Sequence, residues 1–249
     1  MAAPSRFIVR KAAVLGAGVM GAQIAAHLVN AGVEAVLFEL PAKEGNPNDN
    51  VRKAIEGLKK LEPSPLSRAV RADTIQAANY DQDLALLKEC DVVIEAISER
   101  MDWKKALYEK VAPHLGENTI FASNTSGLSI NVLSEAMPAH ARTRFCGVHF
   151  FNPPRYMHLV ELIPGSTTDP VILDQLEAFL GTTLGKGVTR AKDTPNFIAN
   201  RVGVFSILAA FHHTQQFGLG FDEVDALTGS LIGRPKSATY RTADVVGLD

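Results

Sequence analysis

The sequence predicts an α/β fold: a doubly wound, mostly parallel sheet followed by the start of an all-helical C-terminal domain. Three observations predict it. Short apolar runs alternate with helix-length segments from residue 12 to residue 190, the order that gives parallel strands with helices on both faces. The first run feeds a glycine-rich turn, Gly16-Ala17-Gly18-Val19-Met20-Gly21. Beyond Lys192 to Pro195 the strand signals cease and helical patterns remain, over residues 197–217 and 221–227. The boundary is therefore placed to give domains 1–193 and 194–249, the second small for a domain standing alone.

Residues 12–15 form the first strand. A helix follows the glycine turn through Leu28, and Gly32 suits its C-terminal cap. Residues 35–38 form the next strand, ending at Glu39. Strand, glycine turn, helix, strand and acid in this order make a Rossmann-like dinucleotide site. Gly16 permits the tight turn, Gly18 lets the backbone approach a pyrophosphate, and Gly21 lets helix and strand pack closely. The helix start at Val19 and Met20 offers N–H groups and a positive dipole end to the phosphates. Glu39 can accept hydrogen bonds from the adenosine ribose and would repel a 2′-phosphate, which favours NAD over NADP. The competing reading is a tight strand–helix turn with no ligand.

A polar loop over residues 41–50 leads to a helix over 51–61, stopped by Pro63 and Pro65. Its Arg52, Lys53, Lys59 and Lys60 can meet the phosphates of a nucleotide-tailed substrate or simply form a solvated face. A buried strand over 91–97 carries Ala96 and delivers Ser98, Glu99 and Arg100 to the carboxyl edge of the sheet. A helix from Asp102 then carries Lys104. The strand over 119–123 delivers Asn124, Thr125 and Ser126 to the same edge, where open parallel sheets bind ligands. Ser126 reads equally as a turn residue or a ligand group.

Residues 144–161 read as strand, proline turn at Asn152-Pro153-Pro154, and strand. His149 lies near the end of the first strand and Glu161 deep in the second, so the hairpin brings them together. A histidine–carboxylate pair moves protons near neutral pH. His158 lies three residues before Glu161 and so on the opposite face. The other histidines have no carboxylate at similar spacing and read as surface or packing residues. Pro164-Gly165 ends the hairpin, Asp169-Pro170 opens a helix, and residues 187–190 form the last strand. Thr194-Pro195 opens a long apolar helix by the same device. Asn200 falls about a turn and a half inside it, on a largely buried helix, where it meets a ligand, a partner or a neighbouring backbone.

The 249 residues are 46% hydrophobic and 21% charged, with net charge −2. That balance argues against an electrostatic nucleic-acid binder. The two cysteines, Cys90 and Cys146, have neither metal-ligand spacing nor a disulfide framework. A reducing, cytoplasmic setting is expected, and no apolar run is long enough to span a membrane.

The segments GAGVMGAQIA, EAISER, FASNTSGLSI, GVHFFNPPRYMHLVELIPG, KDTPNFIANR and D-x-x-GLD, in this order, resemble the L-3-hydroxyacyl-CoA dehydrogenase family over nearly the whole chain from Ala12. The resemblance implies an NAD-binding domain followed by a helical domain that serves dimerisation. It implies reversible oxidation of an L-3-hydroxyacyl-CoA to a 3-oxoacyl-CoA. It also implies His149 as base with Glu161 as its partner, and Asn200 and Ser126 on the substrate oxygen. Asn152, Glu99 and Lys104 become nicotinamide-side contacts, and Lys60 a contact to CoA. Glu39, Gly127, Asn196 and residues 233–240 depart from the family's commoner residues. With KDTPNFIANR they resemble the dehydrogenase portion of multifunctional β-oxidation chains that also carry an enoyl-CoA hydratase module, of which this chain would be a fragment.

Two rival readings compete with this one. Another Rossmann dehydrogenase acting on a 3-hydroxy acid or sugar acid would place a lysine on the helix after Thr194, where Asn200 stands. A non-catalytic NAD(H)-binding protein on the same fold would have no need to keep both His149 and Glu161.

Overall fold

In the computed structural model, residues 7–246 are described; residues 247–249, which close the D-x-x-GLD motif, lie outside them. The chain divides into two compact units that meet in sequence at Phe197 and Ile198. The division falls four residues later than the composition shift.

The first unit runs β1 (Lys11–Leu15), α1 (Val19–Asn30), β2 (Glu34–Glu39), α2 (Asp49–Leu58), β3 (Ile75–Asn79), β4 (Val92–Glu95), α3 (Met101–Val111), β5 (Ile120–Ser123), α4 (Ile130–Ser134), α5 (Ala139–Arg142), β6 (Phe145–Phe150), β7 (Leu159–Pro164), α6 (Pro170–Thr182) and β8 (Gly187–Arg190). One eight-stranded sheet has the order β3-β2-β1-β4-β5-β6-β7-β8. From β3 to β6 neighbouring strands are parallel, β7 is antiparallel to β6, and β8 is parallel to β7. The strand order reverses at β1, which lies between β2 and β4. A crevice opens there beyond the carboxyl ends of the strands.

Strand alternation explains how the sheet is covered on both faces. Ala12 and Val14 of β1 join a core with Ile24 and Leu28 of α1 and with Ile172 and Leu176 of α6. Ala13 and Leu15 join the opposite core with Tyr108 of α3, Phe121 and Phe145. The sequence IQAAN of β3 has no such strong apolar signal. It is recruited by register against β2, Ala35 to Ile75 through Glu39 to Asn79.

α1 ends as predicted, with Gly32 at φ 81° just past its cap. Asp169 caps α6 by accepting the Val171 N–H. The helix after Thr194 begins differently from expectation. Asn196 and Phe197 take left-handed φ values of 62° and 47°, which breaks any helix opening at Pro195. The preceding Asp193 reaches away and caps α4, accepting from Ser129 Oγ and from the Ile130 and Asn131 N–H groups.

The second unit holds α7 (Ala199–Phe217), α8 (Phe221–Thr228) and α9 (Tyr240–Val246). Phe211 and Phe221 both stack on Tyr240, with centroids 4.7 and 4.4 Å away. Asp225 accepts the N–H groups of Thr239, Tyr240 and Arg241 at the start of α9. The expectation of a largely buried long helix is overturned. Val202, Phe205, Leu208 and Phe217 of α7 are exposed. Asn200 is the second residue of that helix, not a turn and a half inside it. Among the described residues no helix is long and apolar enough to cross a membrane.

One buried group makes the first unit acid-sensitive. His27 on α1 bonds the Leu184 carbonyl through Nε2 at 3.1 Å, while its Nδ1 is buried without a protein partner. Burial, and then the positive Lys186, lower its pKa to about 4 from 6.5. The unfolded chain therefore takes up the proton first as pH falls. Stability from this residue is intact above pH 6.5 and is lost between 6.5 and about 4, by up to about 3 kcal/mol. Urea titrations across that interval should show a shallower loss for His27→Gln; parallel curves would refute the assignment.

Candidate active site

Each element of the site is set by a strand end. At the end of β1, Gly16 has φ 103°, and a Cβ there would stand 2.9 Å from the Ala96 carbonyl oxygen. A Cβ on Gly21 would stand 1.8 Å from the Gly16 carbonyl oxygen, so only glycine lets α1 pack this close to the turn. A Cβ on Gly18 would meet nothing within 4 Å. The backbone at Gly18 is thus open for close approach. α1 starts at once with Val19 and Met20, and its first N–H groups favour an anion.

Two adjoining hollows share Ala96 and Ile97, just past the end of β4. The first, about 430 Å³, is lined by Gly16, Gly18, Glu39, Leu40, Tyr80 and Trp103, among others. Glu39 ends β2, where its carboxylate accepts the N–H groups of Ala17 (2.8 Å) and Leu40 (2.8 Å). Tyr80 and Trp103 are lining residues that sequence reading missed. Tyr80 directly follows Asn79, the register partner of Glu39. Had β3 been recognised, Tyr80 would have followed from position alone.

The second hollow, about 280 Å³, is lined by Met20, Ala96, Ile97, Glu99, Asn124, Ser126, His149, Phe150, Phe151 and Asn152. Seven residues singled out from sequence are therefore brought to one wall; Phe151 was not among them. His149 and Glu161 are direct register partners across β6 and β7, so their side chains leave the sheet on the same face. His149 Nδ1 lies 2.8 Å from Glu161 Oε2, and both side chains are buried. A carboxylate only accepts, so it fixes the hydrogen on Nδ1 and leaves the lone pair on Nε2. Phe151 and Phe197 flank the imidazole at 4.3 and 5.8 Å between centroids. His158 is exposed and lies against Gly187 of β8, away from this wall.

The hairpin turn is tied down from two sides. Arg155 donates to the Ser64 and Leu66 carbonyls at 2.8 and 2.7 Å. Buried Lys186 donates to the carbonyls of Pro154 and, at 2.9 Å, Met157. Asn152 accepts from Gln23 Nε2 of α1 at 3.3 Å, which links the turn to the helix that follows the glycine loop. Asn124 accepts the Phe150 N–H at 2.9 Å and so joins β5 to the end of β6.

Beneath the second hollow lies a buried ionic network. Glu95, the last residue of β4, is fully buried and accepts from Lys104 Nζ (2.6 Å), Tyr108 OH (2.7 Å), Ser123 Oγ (2.7 Å) and the Ile97 N–H (2.8 Å). Lys104 Nζ also stands 3.4 Å from Glu99 Oε2. Glu99 Oε1 in turn accepts the Thr125 hydroxyl and the N–H groups of Ser126 (2.7 Å) and Gly127 (3.1 Å). Burial alone would raise the Glu99 pKa, but Thr125, Lys104 and the loop N–H groups outweigh it and the net shift is downward. Lys104, expected from sequence at the nicotinamide side, is 1% exposed. It lies behind Glu99, because the nearer carboxylate of Glu95 draws its ammonium inward. Lys60, expected to meet CoA, is an exposed residue in the turn after α2 and lines neither hollow. Asn200 belongs to the second unit.

The residues fit a dinucleotide. An open glycine turn faces the helix start, an acid ends β2, and a histidine–glutamate pair stands at the adjoining hollow. Comparison with known proteins agrees. Residues 11–194 match the family model described as "3-hydroxyacyl-CoA dehydrogenase, NAD binding domain". A probable 3-hydroxyacyl-CoA dehydrogenase of Deinococcus radiodurans is 45% identical over 97% of this chain and 70% of its own length. One of Bacillus subtilis is 44% identical over 97% of this chain, which spans only 32% of that relative's length. The crystal structure of (S)-3-hydroxybutyryl-CoA dehydrogenase from Ralstonia eutropha superposes with a TM-score of 0.81 at 30% identity, over 97% of this chain and 84% of that one. A Rossmann-like crevice that fits NAD, a histidine–glutamate pair at the adjoining hollow and this concordance of relatives lead to one assignment: the chain belongs to the 3-hydroxyacyl-CoA dehydrogenase family and carries its NAD-binding domain.

Proposed function

We propose that this chain interconverts an L-3-hydroxyacyl-CoA and a 3-oxoacyl-CoA, with His149 as the proton-transfer residue. The observation that carries the reading is the buried 2.8 Å His149–Glu161 pair in the wall of the hollow that adjoins the glycine turn. NAD, when bound, accepts or returns the hydride. Neutral His149 takes the hydroxyl proton at Nε2 and becomes imidazolium. Glu161 holds the ring orientation through Nδ1 and stabilises that charge. In the reverse direction His149 gives the proton to the 3-oxo group. Ser126, on the loop held by Glu99, orients the reacting oxygen. Lys60, in the turn after α2, is offered to the phosphates of CoA.

The test is consumption of NADH by this chain with acetoacetyl-CoA. Turnover that depends on the thioester supports the reading, and no turnover with any 3-oxoacyl-CoA would sink it for this chain.

Glu39 is the residue proposed to select NAD over NADP. Glu39→Ala removes the carboxylate that would repel a 2′-phosphate, and with it two backbone hydrogen bonds. The NAD to NADP preference in kcat/KM should fall by roughly tenfold or more, since each 1.4 kcal/mol is a factor of ten. An unchanged ratio would remove Glu39 from the ribose site.

The helical unit is proposed to serve homodimerisation in the intact protein, a reading supported by exposed Val202, Phe205, Leu208 and Phe217 of α7. Sedimentation of the intact protein as a monomer at micromolar concentration would argue against this. Cytoplasmic residence is proposed on the two buried, unpaired cysteines. Burial pushes the Cys90 and Cys146 thiols up to about 11 and about 12, so neither is a reactive thiolate.

A further inference from the structure

The network beneath the second hollow carries an unbalanced charge. Glu95 and Lys104 are 2.6 Å apart and fully buried, so each neutralises the other. Glu99 is bound to the same ammonium at the longer distance of 3.4 Å, and its side chain is 39% exposed toward the hollow. The sum over the three groups is one negative charge, and Glu99 presents it. Among the described residues that line this hollow only Glu99 and His149 ionise. Glu99 is also held in place: the Thr125 hydroxyl and the N–H groups of Ser126 and Gly127 converge on one of its oxygens. The carboxylate is thus a fixed anion in a partly desolvated wall, where charge acts more strongly than in water.

Resting on the reading of this hollow as the nicotinamide side of an NAD site, we infer that Glu99 makes the site discriminate between the two redox states of the cofactor, favouring NAD⁺ over NADH. Oxidised and reduced cofactor share phosphates, riboses and adenine. They differ in charge at one place, the positive nicotinamide ring. That ring must lie in the hollow with His149, because hydride and proton leave neighbouring atoms of the same alcohol. A fixed anion there stabilises the cationic ring and gives nothing comparable to the neutral one. Lys104 acts on this indirectly, as a positioning residue. It satisfies Glu95 and turns Glu99 toward the 125–127 loop without cancelling its charge.

The sole tryptophan, Trp103, lines the first hollow, so quenching of its fluorescence reports binding of either cofactor to this chain without turnover. In Glu99→Gln an amide oxygen remains to accept the loop N–H groups, but the charge is gone. The dissociation constant for NAD⁺ should rise roughly tenfold while that for NADH changes less than about twofold. Glu99→Asp, which keeps the charge on a shorter arm, should retain most of the wild-type ratio. Both constants rising together in Glu99→Gln would overturn the inference and leave the NAD site standing, since Glu99 would then be only a neutral contact. Wild-type chain that binds neither nucleotide would overturn the cofactor site itself, and the inference with it.

Discussion

Replacing His149 by glutamine is expected to lower turnover of acetoacetyl-CoA with NADH by about 10²–10⁴-fold, the usual worth of a positioned general acid or base. The geometry supports a loss of this size. Nδ1 is committed to Glu161 at 2.8 Å, which leaves Nε2 the basic atom. Glutamine preserves polarity and approximate bulk but has no nitrogen that shuttles a proton near pH 7. The change is confined to the second hollow, so nucleotide binding, read at Trp103 in the first, should be nearly unchanged. The effect should therefore fall on kcat and not on the KM for cofactor. A variant that keeps near-wild-type turnover would show that His149 is not the proton-transfer residue. Loss of cofactor binding in parallel would show that the histidine acts through structure.

The second large effect is expected at Lys104. Lys104→Met keeps the aliphatic bulk and removes the ammonium, leaving Glu95 fully buried with only neutral donors. Breaking a buried ion pair from one side costs about 3–5 kcal/mol, because the remaining charge is neither solvated nor paired. Urea or thermal unfolding should show a loss of this order. The double variant Lys104→Met with Glu95→Gln should recover most of it, since Tyr108, Ser123 and the Ile97 N–H can still donate to the amide oxygen. A single variant that loses less than about 1 kcal/mol would mean that the Glu95–Lys104 pair contributes little to stability. It would also mean that the network does not hold the β4 end in place.

The two variants probe different depths of the same site, and the sequence reached those depths unequally. His149 and Glu161 were legible because a β-hairpin has only two faces. Residues with the right alternation around a proline turn meet on one of them. The glycine turn was legible for a similar reason, since close backbone approach leaves few residue choices. The sequence places Lys104 on the helix from Asp102 but does not show that its ammonium is buried against Glu95. Its position depends on Glu95, a strand residue whose burial no local pattern announces. A carboxylate at the end of an apolar run can as well be a solvent-facing strand terminus as the centre of four donors.

The cap of the first long helix of the second unit was misplaced for a related reason. Thr194-Pro195 has the residues of a helix start, but Asp193 was drawn to α4, and Asn196 and Phe197 turned left-handed. A local propensity worth about 1 kcal/mol gave way to a tertiary cap with several donors. β3 and Tyr80 were missed because the strand IQAAN is selected by pairing with β2, not by its own periodicity.

By itself, then, the sequence determined the parallel α/β order, the dinucleotide turn, the acid at the end of β2 and the histidine–glutamate pair. All of these rest on interactions between residues close in sequence or locked to a short repeat. Only the tertiary structure decided which charged side chains face the hollow and which lie beneath it, because burial of a charge is settled by the partners that long-range folding brings to it.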